Sequence, residues 1–283
     1  MPELRIDGNI IHYEEHGEAG SPPLVLVHGL YGESAGLAPL AQRFARRFRV
    51  IAPDALGHGL SSHPAEFGIE DQGRVLAGLI ATLGYPKAAI LGISMGSYLA
   101  AQAAILEPAR VSALVLVVPK AHGRTSSTAA YAARKGFDLT TATPEETTAF
   151  LAEVLWSPHT SQARREEILA AQLAAQRVVL TPEERATIDR SLRGFDLRPG
   201  LATIAAPTLV VSGRADGLNP PEAGQEVARG IPGARFEVYE HSGHQLASEE
   251  TDRLVEDVEA FLQGRGPSAR LPEAGAARER GHG

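Results

Sequence analysis

Four short stretches of the chain hold side chains that could do chemistry together. The first is Gly92-Ile93-Ser94-Met95-Gly96. A serine with glycine two residues away on either side suits a sharp turn, which needs small residues about its centre. Such a turn lifts the hydroxyl clear of the backbone, close to the positive N-terminal end of a following helix. The second is Val27-His28-Gly29-Leu30-Tyr31-Gly32. A glycine-bearing loop leaves N–H groups free to meet an oxygen that becomes negative during acyl transfer. The N–H groups of Leu30 and Met95 are the expected oxyanion donors, and His28 is expected to hold the loop. The third stretch, Val211-Ser212-Gly213-Arg214-Ala215-Asp216, ends in a carboxylate. The fourth, His241-Ser242-Gly243-His244, ends in an imidazole.

Those residue types define a reaction. A serine hydroxyl is a weak nucleophile until a base removes its proton. Here Ser94 is the nucleophile, His244 the base, and Asp216 the acid that fixes the tautomer of His244 and stabilises its imidazolium. Ser94 would attack a carbonyl, form an acyl-enzyme and release it to water activated by His244. No cofactor is needed.

Each of the four stretches follows a segment that reads as a strand, at 24–27, 88–93, 208–211 and 235–239. Residues 10–13, 50–53 and 111–118 read as further strands. Continuous apolar runs suit strands covered on both faces. Helix-length segments lie between them, such as 69–83 and 96–107, and 249–262 closes the pattern. The alternation implies an α/β chain with a mostly parallel, doubly wound sheet.

Alternation stops between 120 and 199. Thr143-Pro144-Glu145-Glu146 and Thr181-Pro182-Glu183-Glu184 each join a capping threonine, a proline at the first helical position and a glutamate three residues after the cap. This region reads as an all-helical insertion of about four helices of ordinary length. The expected organisation is a core of 1–119 and 200–263, a helical insertion of 120–199, and a tail of 264–283. The tail is rich in Gly, Ala, Arg and Pro and is expected to be disordered.

With these elements in place, residues 1–263 resemble an α/β-hydrolase with a helical cap. Nucleophile, acid and base run Ser94, Asp216, His244, the chain order of that fold. Asp54-Ala55-Leu56-Gly57-His58-Gly59-Leu60-Ser61 is similar to a family segment, and there Asp54 and His58 are expected to shape the loop under the site. The resemblance implies a serine hydrolase of carboxylesterase or enol-lactonase type, cleaving an ester or lactone of a small to medium molecule. A carbon–carbon bond hydrolase of ring-fission products is the alternative. Such enzymes often carry an aromatic residue after the base histidine, where Gln245 stands. A non-hydrolytic cyclase or lyase, or a small-ligand binding protein on the same fold, is the alternative of another class. Aspartate at the elbow would have pointed to epoxide hydrolysis or dehalogenation.

Tyr31, His122 and Trp156 are the expected substrate contacts, His122 because it opens the insertion. Tyr131, Phe137, Phe150 and Phe195 supply further aromatic surface, most of it for the insertion's own core. His12, His16 and His159 are expected at the surface. No His-Glu-x-x-His or shared ligand spacing suggests a metal. The formal net charge of −7 gives no reason to expect nucleic acid or an anionic membrane as partner. Cysteine is absent, which removes disulfides and thiolate chemistry. The N-terminal residues have no basic stretch followed by an apolar one, and the longest apolar runs are far too short to span a bilayer. A cytoplasmic enzyme with a small-molecule substrate as its partner is the expectation.

Overall fold

The computed structural model describes residues 2–124 and 127–264. The tail expected to be disordered lies, from residue 265 on, outside the described residues. The chain opens with a hairpin of β1 (Glu3–Ile6) and β2 (Asn9–His16). Its two-residue turn, Asp7-Gly8, has φ of 47° and 83°. Positive φ at both positions gives the turn whose twist matches that of the strands. β1 is not among the strands expected from sequence. It is a four-residue edge strand with only Ile6 buried, so its apolar alternation is weak.

Six parallel strands follow: β3 (Pro23–Val27), β4 (Arg49–Pro53), β5 (Ala88–Ile93), β6 (Val111–Val117), β7 (Thr208–Gly213) and β8 (Arg235–Tyr239). The sheet order is β1-β2-β4-β3-β5-β6-β7-β8, and only β1 and β2 run antiparallel to their neighbours. The helices of the first half are α1 (Ala38–Phe44), α2 (Ile69–Thr82) and α3 (Met95–Leu106). Between β6 and β7 come α4 (Ser127–Lys135), α5 (Pro144–Leu155), α6 (Gln162–Ala175), α7 (Pro182–Ser191) and the short α8 (Arg198–Leu201). The chain closes with α9 (Pro221–Gly230), α10 (Leu246–Glu249) and α11 (Thr251–Leu262).

The strand interiors are apolar on both sides because helices cover both. Ile90, Leu114, Leu116 and Val210 face a core built with α2, α3, α8 and α9. Leu24, Leu91, Val115 and Leu209 face a second core built with α1 and α11. The two expected helix starts form capping boxes. Thr143 Oγ1 accepts the Glu146 N–H at 3.2 Å while Glu146 accepts the Thr143 N–H at 2.8 Å. Thr181 and Glu184 repeat this at 3.2 and 2.7 Å.

α4 and α5 build a small cluster of their own around Ala132, Phe150 and Val154, with the rings of Phe137 and Phe150 stacked at 4.3 Å. Phe195 belongs elsewhere: it stacks on Tyr98 of α3 at 5.1 Å and joins the main core. His12 also departs from expectation. It is fully buried, with Nδ1 2.8 Å from Asp54 Oδ2, because β2 is an interior strand of the sheet. Among the described residues no helix is long and apolar enough to cross a membrane. With six strands parallel, their carboxyl ends share one edge, and the loops that leave it gather the reactive side chains.

Candidate active site

Ser94 sits between β5 and α3 with φ 52° and ψ −116°, a conformation that non-glycine residues rarely adopt. Two close backbone approaches impose the turn. A Cβ on Gly92 would lie 2.1 Å from the Gly96 carbonyl oxygen, and one on Gly96 would lie 2.4 Å from that of Val27. Both positions therefore need glycine, and the second wedges the start of α3 against the end of β3.

The structure brings together the three residues that sequence reasoning joined. His244 Nε2 lies 2.9 Å from Ser94 Oγ, and His244 Nδ1 lies 2.8 Å from Asp216 Oδ2. Asp216 is buried, and its other oxygen accepts the N–H groups of Leu218 and Asn219 at 2.8 and 2.9 Å. A carboxylate placed in this way favours the tautomer of His244 that carries its proton on Nδ1. The lone pair on Nε2 then faces the serine hydroxyl.

Met95 directly follows the serine, and Leu30 lies on the loop after β3. Met95 is the first residue of α3, where an N–H has no acceptor within the helix. The Leu30 N–H has no acceptor among the described residues. The loop between β3 and Leu30 passes close by: a Cβ on Gly29 would stand 3.6 Å from Ser94 Cβ. His28 holds this loop. Its Nδ1–H donates to the Gly29 carbonyl at 2.7 Å, and its Nε2 accepts the Ala55 N–H at 3.1 Å. Burial keeps the His28 pKa below the usual histidine value.

Asp54 and His58 lie beneath this loop. Burial alone would push the Asp54 carboxyl up, but the Ser34 N–H at 2.6 Å, the nearby His28 and the Leu60 N–H at 2.9 Å bring it below the usual value. His58 donates from Nδ1 to the Leu56 carbonyl at 3.0 Å, and its buried Nε2 has no partner among the described residues. Burial, helped by His28, lowers its pKa to about 3.

The three expected substrate contacts have the following settings. Tyr31, at φ 59°, donates its hydroxyl to Asp189 of α7 at 2.6 Å, and the Arg185 guanidinium lies 4.7 Å from its ring centre. Burial and Asp189 push that hydroxyl's pKa up. His122 pairs as an isolated bridge with Asp196 where the insertion begins and ends. Trp156 is buried just after α5. Near Tyr31, the buried Glu33 accepts the N–H groups of Arg177 and Val178 at 2.6 and 3.2 Å.

Four residues around the site escaped the sequence reading. Asn219 Nδ2 donates to the Tyr98 hydroxyl at 2.7 Å and to the Val118 carbonyl at 2.8 Å. Glu249 accepts the N–H groups of Gly243 and Ser157 at 2.6 and 2.8 Å and the Thr160 hydroxyl at 2.6 Å. The Leu155 carbonyl accepts from the loop that carries His244. Only the spacing of Tyr98, one helical turn after Ser94, offered a signal.

The model of the alpha/beta hydrolase fold matches residues 22–251. The chain is 28% identical over 264 residues to the pimeloyl-[acyl-carrier protein] methyl ester esterase of Aliivibrio salmonicida, covering 89% of this chain and 96% of that one. It is 31% identical over 241 residues to the putative carbamate hydrolase RutD of Variovorax paradoxus, covering 83% and 89%. Among solved structures, the enol-lactonase of Burkholderia xenovorans LB400 is similar with a TM-score of 0.78 and 26% identity, over 93% of this chain and all of that one.

Proposed function

This chain belongs to the α/β-hydrolase family and is a hydrolytic enzyme, and we propose that it cleaves a carboxylic ester or lactone through an acyl-enzyme on Ser94. The observation that carries this reading is the run of hydrogen bonds from Ser94 Oγ through His244 to Asp216, at 2.9 and 2.8 Å. A methyl ester esterase and an enol-lactonase among the similar proteins support the substrate class.

In this mechanism His244 Nε2 takes the hydroxyl proton as Ser94 Oγ attacks the carbonyl carbon. The oxygen that becomes negative is met by the N–H groups of Leu30 and Met95. Asp216 stabilises the imidazolium and keeps its own charge. The Nε2–H proton then passes to the departing alkoxide, and the acyl group remains on Ser94. Water, deprotonated by the same nitrogen, attacks the acyl carbon, and the free acid leaves with the serine proton restored. Residues 120–199 form a cap over this site in our reading, with Tyr31, His122 and Trp156 on the substrate side.

An organophosphonate tests the covalent step, because its tetrahedral adduct resembles the transition state. One equivalent should attach to the Ser94 peptide, located by mass spectrometry, and Ser94→Ala should take up none. An activated aryl ester should show a burst of alcohol before slower turnover. Label on another residue, or none on folded protein, would overturn the reading.

A further inference from the structure

Lys120 stands at the carboxyl edge of the sheet, three residues past β6, between the strands that end near Ser94 and Asp216. The backbone turns sharply just before it. Val118 has φ 47°, a conformation that branched residues rarely take. It is fixed there by its N–H, which donates to the Val211 carbonyl at 2.7 Å, and by Asn219, which donates to its carbonyl. Lys120 Nζ then lies 5.7 Å from the centre of the Tyr98 ring and donates to Ser127 Oγ at 2.8 Å. Ser127 in turn donates to Asn219 Oδ1 at 3.2 Å. The ammonium therefore faces the ring of Tyr98 and reaches Asn219 through Ser127, and Asn219 in turn bonds both the Tyr98 hydroxyl and Asp216.

This cation is half-buried, and among the described residues no carboxylate pairs with it. Other partly buried cations of the chain are matched, as Arg198 is with Asp196 at 2.6 Å and Arg253 with Glu250 at 3.1 Å. Desolvating an ammonium without a counter-charge is costly. Burial holds the Lys120 pKa below the usual lysine value, with no opposing charge to restore it. Lys120 gives one hydrogen bond, to the Ser127 hydroxyl, and faces the Tyr98 ring; neither partner carries a negative charge.

We propose that Lys120 binds a negatively charged group of the substrate, so that the enzyme selects esters or lactones carrying a free carboxylate away from the scissile carbonyl. The charge balance favours a monoanion. One ammonium among neutral groups neutralises one carboxylate, while a phosphate dianion would bring excess negative charge toward Asp216. The inference rests on the serine hydrolase reading and makes Lys120 a determinant of specificity.

The test compares methyl monoesters of dicarboxylic acids of increasing chain length with their dimethyl esters. The quantity read is the ratio of kcat/KM for charged over neutral ester, in the unmutated protein, Lys120→Met and Lys120→Arg. The unmutated ratio should exceed one by roughly tenfold to a hundredfold at the best chain length, the size expected of a charged hydrogen bond. Lys120→Met should lose that preference through KM, and Lys120→Arg should keep part of it. If Lys120→Met melts early, Lys120→Gln takes its place. No preference in the unmutated protein, or an equal fall for both esters in the variant, would overturn the proposal while leaving ester hydrolysis standing. If no ester is turned over, the hydrolase reading fails first. Calorimetric titration with a dicarboxylic acid monoamide then decides the anion site: weaker binding by Lys120→Met supports it, and equal or absent binding overturns it.

Discussion

The backbone N–H of His244 donates to the carbonyl of Leu155 at 2.9 Å. Leu155 ends α5, in the middle of the inserted helices. One residue earlier, the Val154 carbonyl accepts the N–H of Gly217, the neighbour of Asp216, at 3.0 Å. The last carbonyls of a helix have no partner within it. Here they find theirs in the loops that carry the acid and the base.

Gly243→Ala should break this arrangement. A Cβ there would lie 2.7 Å from the Ser157 nitrogen and 2.8 Å from the Leu155 oxygen, both backbone atoms that cannot swing aside. The histidine loop must move off α5, and a misplacement near 1 Å costs about 10²-fold. We expect kcat/KM to fall by about that factor, checked by steady-state kinetics beside a circular dichroism spectrum that stays folded.

Asp216→Asn should preserve the shape of the site and lose its rate. The amide oxygen still accepts from Leu218 and Asn219, but its NH2 then faces His244 Nδ1 and turns the imidazole to the wrong tautomer. The expected fall in kcat is about 10³- to 10⁴-fold. A near-normal rate would show that another group orients His244.

Glu249→Ala should loosen the insertion from the core. It leaves the N–H groups of Gly243 and Ser157 and the Thr160 hydroxyl without their shared acceptor. Hydrogen bonds to a charged group contribute about 1.5–3 kcal/mol each, but water reaches this partly exposed site and recovers much of that. A loss of roughly 2–3 kcal/mol is expected, read from the denaturant midpoint at constant m-value.

Acid should destabilise the fold through His58. Its pKa is about 3 in the folded chain, against a histidine value of 6.5 when unfolded. Between those values the unfolded chain binds the extra proton, so stability is full above pH 6.5 and falls as pH drops toward 3. Each pH unit in that window costs about 1.4 kcal/mol. Melting temperature measured from pH 8 downward should decline below about 6.5, and His58→Gln should flatten that decline.

Much of the site was legible because its parts are local. Gly92 and Gly96 announce a turn that the backbone contacts require, and Ser94, Asp216 and His244 each follow a strand. The Thr143 and Thr181 caps were legible for the same reason, since donor and acceptor lie three residues apart. The bonds that hold the site to the insertion were not. Glu249 meets Ser157 across 92 positions, and Asn219 meets Tyr98 across 121. A glutamate or asparagine on a loop carries no local mark of such a partner. His12 misled for a related reason: one histidine in a short run shows no face, and only the pairing of β2 with β4 buries it against Asp54.

Glu33 makes the direction of synthesis matter. The residue is 7% exposed, and the backbone N–H groups its carboxylate accepts belong to Arg177 and Val178. A ribosome emits Glu33 some 144 residues before the first of them. During that interval a chain that buried Glu33 would bury a lone charge, at a cost of several kcal/mol. The emerging N-terminal half is thus better left open around this loop, with Leu30 beside it, until the inserted helices have been made. The segment from Leu30 to Glu33 is thus fastened by residues made long after it, which take no part in the chemistry.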